Sequence, residues 1–282
     1  LMVFDLGAGM AYQLSENFAF GIGVDFMTAS IELTRDVGLI NPFNQTLSTV
    51  AEANLKSEGI NSAWAWNAGI LWKMGAGFSF GASYRSEFTI NGDGDATFTQ
   101  VPTGYAEFDG LVGTFLPLDG KVPIESSIAF PDFWNVGLAW QNEKWIISGQ
   151  YGVMGWDVYE ELPIIFPENP EFSSVRPENF EDAPQWRIGV EFHADEHWEL
   201  RAGYLEDDTP QPAAGMSPLL PDADRISYMG GLSYHTDRFR FDIAYEFVDS
   251  EERSTDGQSY DGFNGTYSAE SPLLHMSLTF KF

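Results

Sequence analysis

The segment FRFDIAYEF, residues 239–247, alternates large apolar side chains with polar or small ones at every position. Successive side chains of a strand point to opposite faces, so this period of two predicts a strand with one apolar face. The C-terminal segment HMSLTFKF, residues 275–282, repeats the pattern, and so do residues 18–26 and 186–192. The chain is therefore predicted to consist of strands that face two different environments.

Short and long connections alternate along the chain. The short turns lie at 15–16, 74–76, 141–144, 195–197 and 236–238, and the long links at 36–56, 98–122, 162–181, 210–223 and 252–270. The eleven strands predicted between them are 2–14, 17–35, 57–73, 77–97, 123–141, 144–161, 182–195, 198–209, 224–236, 239–251 and 271–282. This rhythm is typical of a transmembrane antiparallel up-and-down β-barrel. We predict an all-β fold with a single barrel domain, 1–282, in the outer membrane of a Gram-negative bacterium.

Strand length and aromatic placement favour the same fold. Ten residues at about 3.3 Å each, tilted by about 40°, rise roughly 25 Å, the height of the apolar band of an outer-membrane barrel. Aromatic residues cluster next to the short turns, as expected for rings at the level of lipid headgroups. They are Tyr12, Trp72, Trp140, Trp145, Trp198, Tyr234 and Phe239.

Composition excludes several classes of function. The 282 residues carry 42 acidic and only 14 basic side chains, a formal net charge of −28, which argues against a nucleic-acid partner. There is no cysteine, which excludes disulfides and thiolate metal sites. No cofactor and no metal are predicted. His193 and His197 could suggest a zinc site, but they more simply flank a tight turn. The segment NGDGD, 91–95, could suggest a calcium loop, but a plain loop is the simpler interpretation.

The N-terminus predicts that earlier strands are missing. Residues 1–5, LMVFD, enter a strand directly and show no signal peptide. Bacterial single-chain barrels have an even number of strands, whereas eleven are visible here. We therefore expect an odd number of strands before Leu1.

From about residue 55 onward, several stretches occur together in an order that resembles a known family. They are WNAGIL (66–71), ASYRSE (82–87), FPDFWNVG (130–137), WRIG (186–189), LRAGY (200–204), DDTPQP (207–212) and LPDADR (220–225). In this order they resemble the outer-membrane long-chain fatty-acid and hydrocarbon transporters of the FadL type.

The resemblance implies a barrel of fourteen strands plugged by an N-terminal hatch, with the hatch and three strands lying before Leu1. It also implies passive transport of long-chain fatty acids or related hydrocarbons and aromatics, without an enzymatic step. Within the DDTPQP stretch it places Asp207 in a cluster around a bound head group. The basic partner expected there has no clear match, and Arg176 is the nearest basic residue.

Two further sets of residues are candidate contacts for a hydrophobic ligand. The long links contain apolar side chains that could capture a solute by burial, or could simply pack the loops together: Leu111, Phe115, Ile164 and Phe166. Strand alternation directs Arg187 and Arg201 into the lumen, where they either meet a substrate carboxylate or form a ladder with acidic neighbours such as Glu191 and Asp242.

Other functions remain open at this point. A porin for polar solutes and an adhesin or phage-receptor barrel both fit the strand pattern. A membrane hydrolase would use the G-x-S-x-G of residues 77–81, but that motif needs a strand–turn–helix elbow and here lies in an alternating strand. The expected partners are outer-membrane lipid and lipopolysaccharide, a hydrophobic ligand, and the barrel-assembly machinery through the strand ending at Phe282. The chain is predicted to be a monomer.

Overall fold

The computed structural model describes residues 2–57, 61–218 and 220–281, and most of them form strands. In chain order these are β1 Met2–Ser15, β2 Phe18–Ser30, β3 Glu32–Ile40, β4 Leu47–Ser57, β5 Asn61–Gly75, β6 Phe78–Arg85, β7 Phe88–Gln100, β8 Val122–Phe130, β9 Asp132–Gln141, β10 Trp145–Gly155, β11 Glu161–Ile165, β12 Ser174–Pro177, β13 Ala183–His193, β14 Trp198–Asp207, β15 Arg225–His235, β16 Phe239–Ser254 and β17 Thr266–Phe280. The helix α1 spans Ala106–Phe115, and short 3₁₀ turns cover Trp156–Val158, Pro170–Phe172 and Ala213–Gly215.

Eleven strands form one antiparallel sheet in the order β1-β2-β5-β6-β9-β10-β13-β14-β15-β16-β17. This number confirms the eleven predicted strands. Their lumen-facing side carries Arg187, Gly189 and Glu191 on β13, whereas Trp186 and Ile188 point outward and are 53% and 55% exposed. Within the described residues β1 and β17 are the two edges of this sheet. Strands before Leu1 stay a prediction, and Phe282 lies outside the described residues.

The long links are ordered, which differs from the predicted loops. Six strands form a second antiparallel sheet in the order β12-β11-β8-β7-β4-β3, at the end of the barrel wall that carries the long connections; we call this the outer end. The predicted strand 17–35 is divided at Ile31, where the chain passes from β2 in the first sheet to β3 in the second. The predicted strand 77–97 is also two strands, which bend at residues 86–87, and the predicted strand 123–141 is two strands, which bend at Pro131. Alternation continues through both bends, so period alone does not show that the chain changes sheets.

Two rows of aromatic rings mark the lipid-facing side of the barrel wall. Next to the short turns, which we call the turn end, Trp145 packs on Phe192 with ring centroids 4.4 Å apart. Six residues further along the same strands, Tyr151 packs on Trp186 at 4.3 Å. The predicted girdle is therefore present at the turn end, and a second row lies toward the outer end. Among the described residues, no helix is long and apolar enough to span a bilayer.

The second sheet has a hydrophobic core of its own. Its members include Val50 on β4, Phe98 on β7, Phe108 and Val112 on α1, and Phe166, all buried. Because α1 packs only one side on this core, the opposite side of the helix remains in solvent. The second sheet and α1 therefore form a packed subdomain at the outer end of the barrel wall, which we call the outer subdomain.

Candidate functional site

An apolar cavity lies between the second sheet and the outer end of the barrel wall. Its volume is about 110 Å³. Apolar side chains dominate the wall, with Lys56 and Asp93 among the few charged ones. The apolar members are Ala29, Ile31, Leu33, Leu55, Ile90, Ile124, Ile128, Phe130, Leu162 and Ile164. Such a space binds an apolar molecule by removing its surface from water.

The four candidate capture residues occupy three different environments. Ile164 lines the cavity. Phe166 is 5% exposed and belongs to the core of the second sheet, where Phe98 and Phe172 contact it. Leu111 and Phe115 lie on the solvent side of α1 and are 39% and 56% exposed. Only Ile164 therefore lines the cavity, and Phe166 has the structural role that loop packing predicts.

Below the cavity, the lumen contains a recess of about 700 Å³ lined by small and apolar residues together with Arg187. The side chain of Arg187 is exposed, and within the described part of the chain it has no hydrogen-bond or ion-pair partner. Ser148, Gln150 and Leu205 are among its neighbours in the recess. Arg187 thus offers an uncommitted guanidinium to whatever fills this space.

Arg201, by contrast, is held in an ion-pair ladder near the turn end. Its Nε lies 2.5 Å from Glu191 Oε2, its Nη1 lies 3.3 Å from Asp242 Oδ1, and it also pairs with Glu199. Arg240 contacts the same Glu199 at 2.6 Å. Glu191, Glu199 and His193 are close enough together to resemble a metal site. However, Arg201 already supplies the positive charge there.

Asp207 lies at the outer end of β14, in a second polar network. Its buried carboxylate is 7% exposed, accepts a 2.8 Å hydrogen bond from Gln185, and pairs with Arg225 at 2.7 Å. The sequence suggested Arg176 as the nearest basic residue, whereas the structure pairs Asp207 with Arg225. Strand register explains this, because Asp207 and Arg225 face each other directly across β14 and β15.

Arg176 is bound elsewhere in the same outer network. It pairs with Glu178, contacts Asp261 at 3.0 Å, and donates a 3.1 Å hydrogen bond to the Gly215 carbonyl. Burial acts to lower the pKa of Arg176, but the hydrogen bond that Arg176 donates to Asp261 and the charge of Glu178 outweigh burial and raise that pKa. Arg176 therefore ties three long connections together and is a permanent cation.

Two carboxyl groups outside the strands have pKa values shifted in opposite directions. Burial, followed by the charges of Asp224, Glu206 and Asp207, raises the pKa of Asp208. The pKa of Asp195 is lowered because its carboxylate accepts hydrogen bonds from the backbone N–H groups of His197 and Trp198, at 2.8 and 2.9 Å. A raised carboxyl pKa stabilises the fold below the unfolded pKa and loses that contribution as pH rises; a lowered one contributes above it.

We therefore expect Asp208→Asn and Asp195→Asn to act in opposite ways. Asp208→Asn should raise the unfolding temperature at pH 7, because it removes charge repulsion, with the gain vanishing near about pH 3 where the aspartate is protonated. Asp195→Asn should lower it at pH 7, with the loss shrinking toward acid. Thermal unfolding of both variants at the two pH values checks this. Shifts of the same sign at pH 7 would contradict the assignment.

Sequence reasoning missed the residues that separate the cavity from the lumen. Phe88 and Phe130 stack with centroids 4.7 Å apart and planes 10° from parallel, against buried Met27 and Ile90. Their position could not be read from alternation, because it depends on the two bends between sheets. The only local signal was Pro131, which interrupts strand pairing.

The wall of lipid-facing strands and the outer subdomain define an outer-membrane β-barrel. The whole chain, residues 1–282, matches the family model described as "Outer membrane protein transport protein (OMPP1/FadL/TodX)", and the chain belongs to that family. It is a protein of the Gram-negative outer membrane.

Relatives and solved structures agree with this assignment. The chain is 27% identical over 254 residues to the long-chain fatty acid transport protein of Escherichia coli O6:H1, covering 83% of this chain and 56% of that protein. It is 24% identical over 271 residues to outer membrane protein P1 of Haemophilus influenzae, covering 88% and 56%. The chain thus spans about half the length of the curated relatives it matches.

Two solved structures share the fold. A Pseudomonas aeruginosa FadL homologue superposes with a TM-score of 0.81 at 18% identity, covering 99% of this chain and 67% of that one. The CymD monoaromatic hydrocarbon channel gives a TM-score of 0.61 at 15% identity, covering 99% and 73%.

Proposed function

We propose that this chain forms the capture and passage part of a passive route for hydrophobic compounds across the outer membrane. The observation that carries the proposal is the apolar cavity between the second sheet and the outer end of the barrel wall, the end with long connections, which outer-membrane barrels direct to the cell exterior. Burying about 200 Å² of apolar solute surface there contributes roughly 5 kcal/mol before the cost of association. Weak binding of this order permits release down a concentration gradient.

The substrate class is supported by cavity size and by the relatives. A dry cavity of about 150 Å³ in another protein accommodates benzene, so about 110 Å³ suits one aromatic ring or a short stretch of acyl chain. The Escherichia coli relative is a long-chain fatty acid transport protein, and the structural neighbour CymD is a monoaromatic hydrocarbon channel. Long-chain fatty acids and monoaromatic hydrocarbons are both compact or flexible apolar molecules that this cavity would admit.

The alternative functions have less support. A polar-solute porin needs a continuous wet path, whereas an apolar layer of Phe88, Phe130, Met27 and Ile90 lies below the cavity. A hydrolase would need Ser79 in a nucleophile elbow, but Ser79 lies inside strand β6 opposite Lys73 of β5. We infer transport without catalysis. We also propose a monomer that contacts lipopolysaccharide and is inserted by the barrel-assembly machinery.

Ile164→Glu tests capture. A carboxylate in the apolar wall must either remain solvated in the cavity or be buried unpaired, and both oppose an apolar ligand. We expect initial uptake of radiolabelled oleate and of toluene by cells expressing the full-length protein to fall by at least about 10-fold. Val175→Glu is the matched control: Val175 lies on the neighbouring strand β12, opposite Pro163, and is 49% exposed. Equal uptake by the two variants would refute the cavity as the capture site.

A further inference from the structure

A thin apolar layer separates the outer cavity from the lumen. Met27, Ala29 and Ile90 are buried in it, and Ala63, Phe88 and Phe130 pack against them. Ala29, Ile90 and Phe130 also line the outer cavity. The layer therefore forms the floor of the cavity.

The same strands continue from this floor into the lumen. On β2, Ala29 lines the cavity, Met27 lies in the layer and Asp25 lines a lumenal recess of about 690 Å³. On β5, Asn61 lines the cavity, Ala63 packs in the layer and Asn67 lines the recess. Residues two apart share a face of a strand, so each strand carries cavity, layer and recess positions in sequence.

After β2 and β5, the chain passes through the layer twice more, at the bends at residues 86–87 and at Pro131. Phe88 begins β7 just after β6 ends at Arg85, and Phe130 ends β8 just before β9 begins at Asp132. Phe88 and Phe130 are direct cross-strand partners, which brings their rings into the parallel stack. Stacked in this way, the two rings leave no passage between them.

Arg85 contacts the Phe88–Phe130 stack from the lumenal side. Its guanidinium carbon lies 5.8 Å from the centre of the Phe88 ring, and its Nη2 lies 3.2 Å from Met27 Sδ. The same guanidinium contacts Asp5 at 3.0 Å and Asp25 at 3.7 Å. The layer is thus apolar on the cavity side and carries a fixed charge cluster directly beneath it.

We propose that Phe88 and Phe130 are a gate that determines specificity: apolar molecules and solutes with a long apolar chain pass through it from the outer cavity into the lumen, whereas charged solutes without such a chain are excluded. This gate rests on the proposed function, and it is the step that follows capture in the outer cavity. Rotation of the two rings opens the gate to a solute that can replace their contacts, whereas an ion entering the layer loses its hydration without gaining a partner.

Single cysteines in this cysteine-free chain test the gate without reference to transport. Ser83→Cys places a thiol in the lumenal recess, and Ser127→Cys places one in the outer cavity. Intact cells carrying the full-length protein are treated with an uncharged maleimide, N-phenylmaleimide, or with a membrane-impermeant sulfonated maleimide. With the native gate, we expect the uncharged reagent to label the Ser83→Cys thiol and the sulfonated reagent to label it much more slowly.

Phe88→Ala combined with Phe130→Ala removes both rings. Labelling of the Ser83→Cys thiol by the sulfonated reagent should then accelerate by at least about 10-fold, while labelling of the Ser127→Cys thiol, above the gate, should not change. If the alanine pair prevents folding, judged by heat-dependent migration on gels, Phe88→Ala alone provides the comparison: it removes one ring of the stack while Phe130 still fills part of the layer, and faster sulfonated labelling is again expected.

Equal rates of sulfonated labelling in the native and ring-deleted backgrounds, whether both fast or both slow, would overturn the gate. The proposed function fails separately, through unchanged uptake in Ile164→Glu. If removing the two rings accelerates labelling but Ile164→Glu leaves uptake unchanged, solutes reach the apolar layer by a route other than the outer cavity.

Discussion

Arg201→Met should be the most destabilising single substitution in the lumen. It removes the cation shared by Glu191, Glu199 and Asp242, and leaves Arg240 as the remaining arginine among three carboxylates. Removing one partner of a fully buried pair costs about 3–5 kcal/mol. The side chain of Arg201 is 34% exposed, so water screens part of the repulsion and we expect about 2 kcal/mol.

The measurement is thermal unfolding of the full-length barrel in detergent, followed by heat-dependent gel migration. A loss of about 2 kcal/mol corresponds to a midpoint lower by roughly 2–3 °C for a protein of this length or longer. Arg187→Met is the matched control, since it makes the same substitution in the same lumen at an arginine with no partner in the described part of the chain. We expect it to stay within about 0.5 kcal/mol of the native protein. Equal midpoints for the two variants would show that the ladder does not hold the strands together.

The barrel wall could be predicted because lipid and lumen impose opposite requirements on alternate residues. Trp186, Ile188 and Phe192 point outward and Arg187 and Glu191 inward, as the alternation indicates. Each residue is placed by its own position in the strand, so no long-range information is needed. The count of eleven strands followed directly from this local rule.

The outer subdomain could not be predicted in the same way. Leu33 and Leu55 alternate with polar neighbours in the same manner as wall residues, yet they lie in the second sheet and line its cavity. Which sheet a strand joins depends on where the chain bends, at Ile31, at residues 86–87 and at Pro131. The bend at residue 86 is fixed by a non-local contact, in which the Ser86 N–H donates to the Trp66 carbonyl and the Trp66 N–H donates to Ser86 Oγ.

The two candidate lumenal arginines, Arg187 and Arg201, have different roles for a related reason. A lumen-facing arginine can be recognised from sequence, but its partners depend on register across several strands. Arg201 meets Glu191 because the two residues are directly paired between β13 and β14. Arg187 pairs in register with Gln150 and Leu205, neither of which offers a charge. Identical residue types therefore acquire a structural role at one position and a free guanidinium at the other.

Arg187→Met should separate transport of carboxylates from transport of neutral hydrocarbons. Arg187 faces the 700 Å³ recess, and a guanidinium suits bidentate contact with a carboxylate. A hydrogen bond to a charged group contributes about 1.5–3 kcal/mol, so losing it should reduce the initial uptake rate of oleate by about 10- to 100-fold at subsaturating concentration. Toluene offers no carboxylate, and its uptake should stay within about 2-fold of the native rate.

Measuring oleate and toluene uptake in the same Arg187→Met variant distinguishes a lost carboxylate contact from a general defect. A general defect in folding or gating would reduce both rates together, whereas loss of a carboxylate contact reduces only one. Arg187→Lys keeps the charge but not the fork of donors, and should restore part of the oleate rate. If oleate and toluene uptake are both unchanged in Arg187→Met, the free guanidinium does not lie on the route.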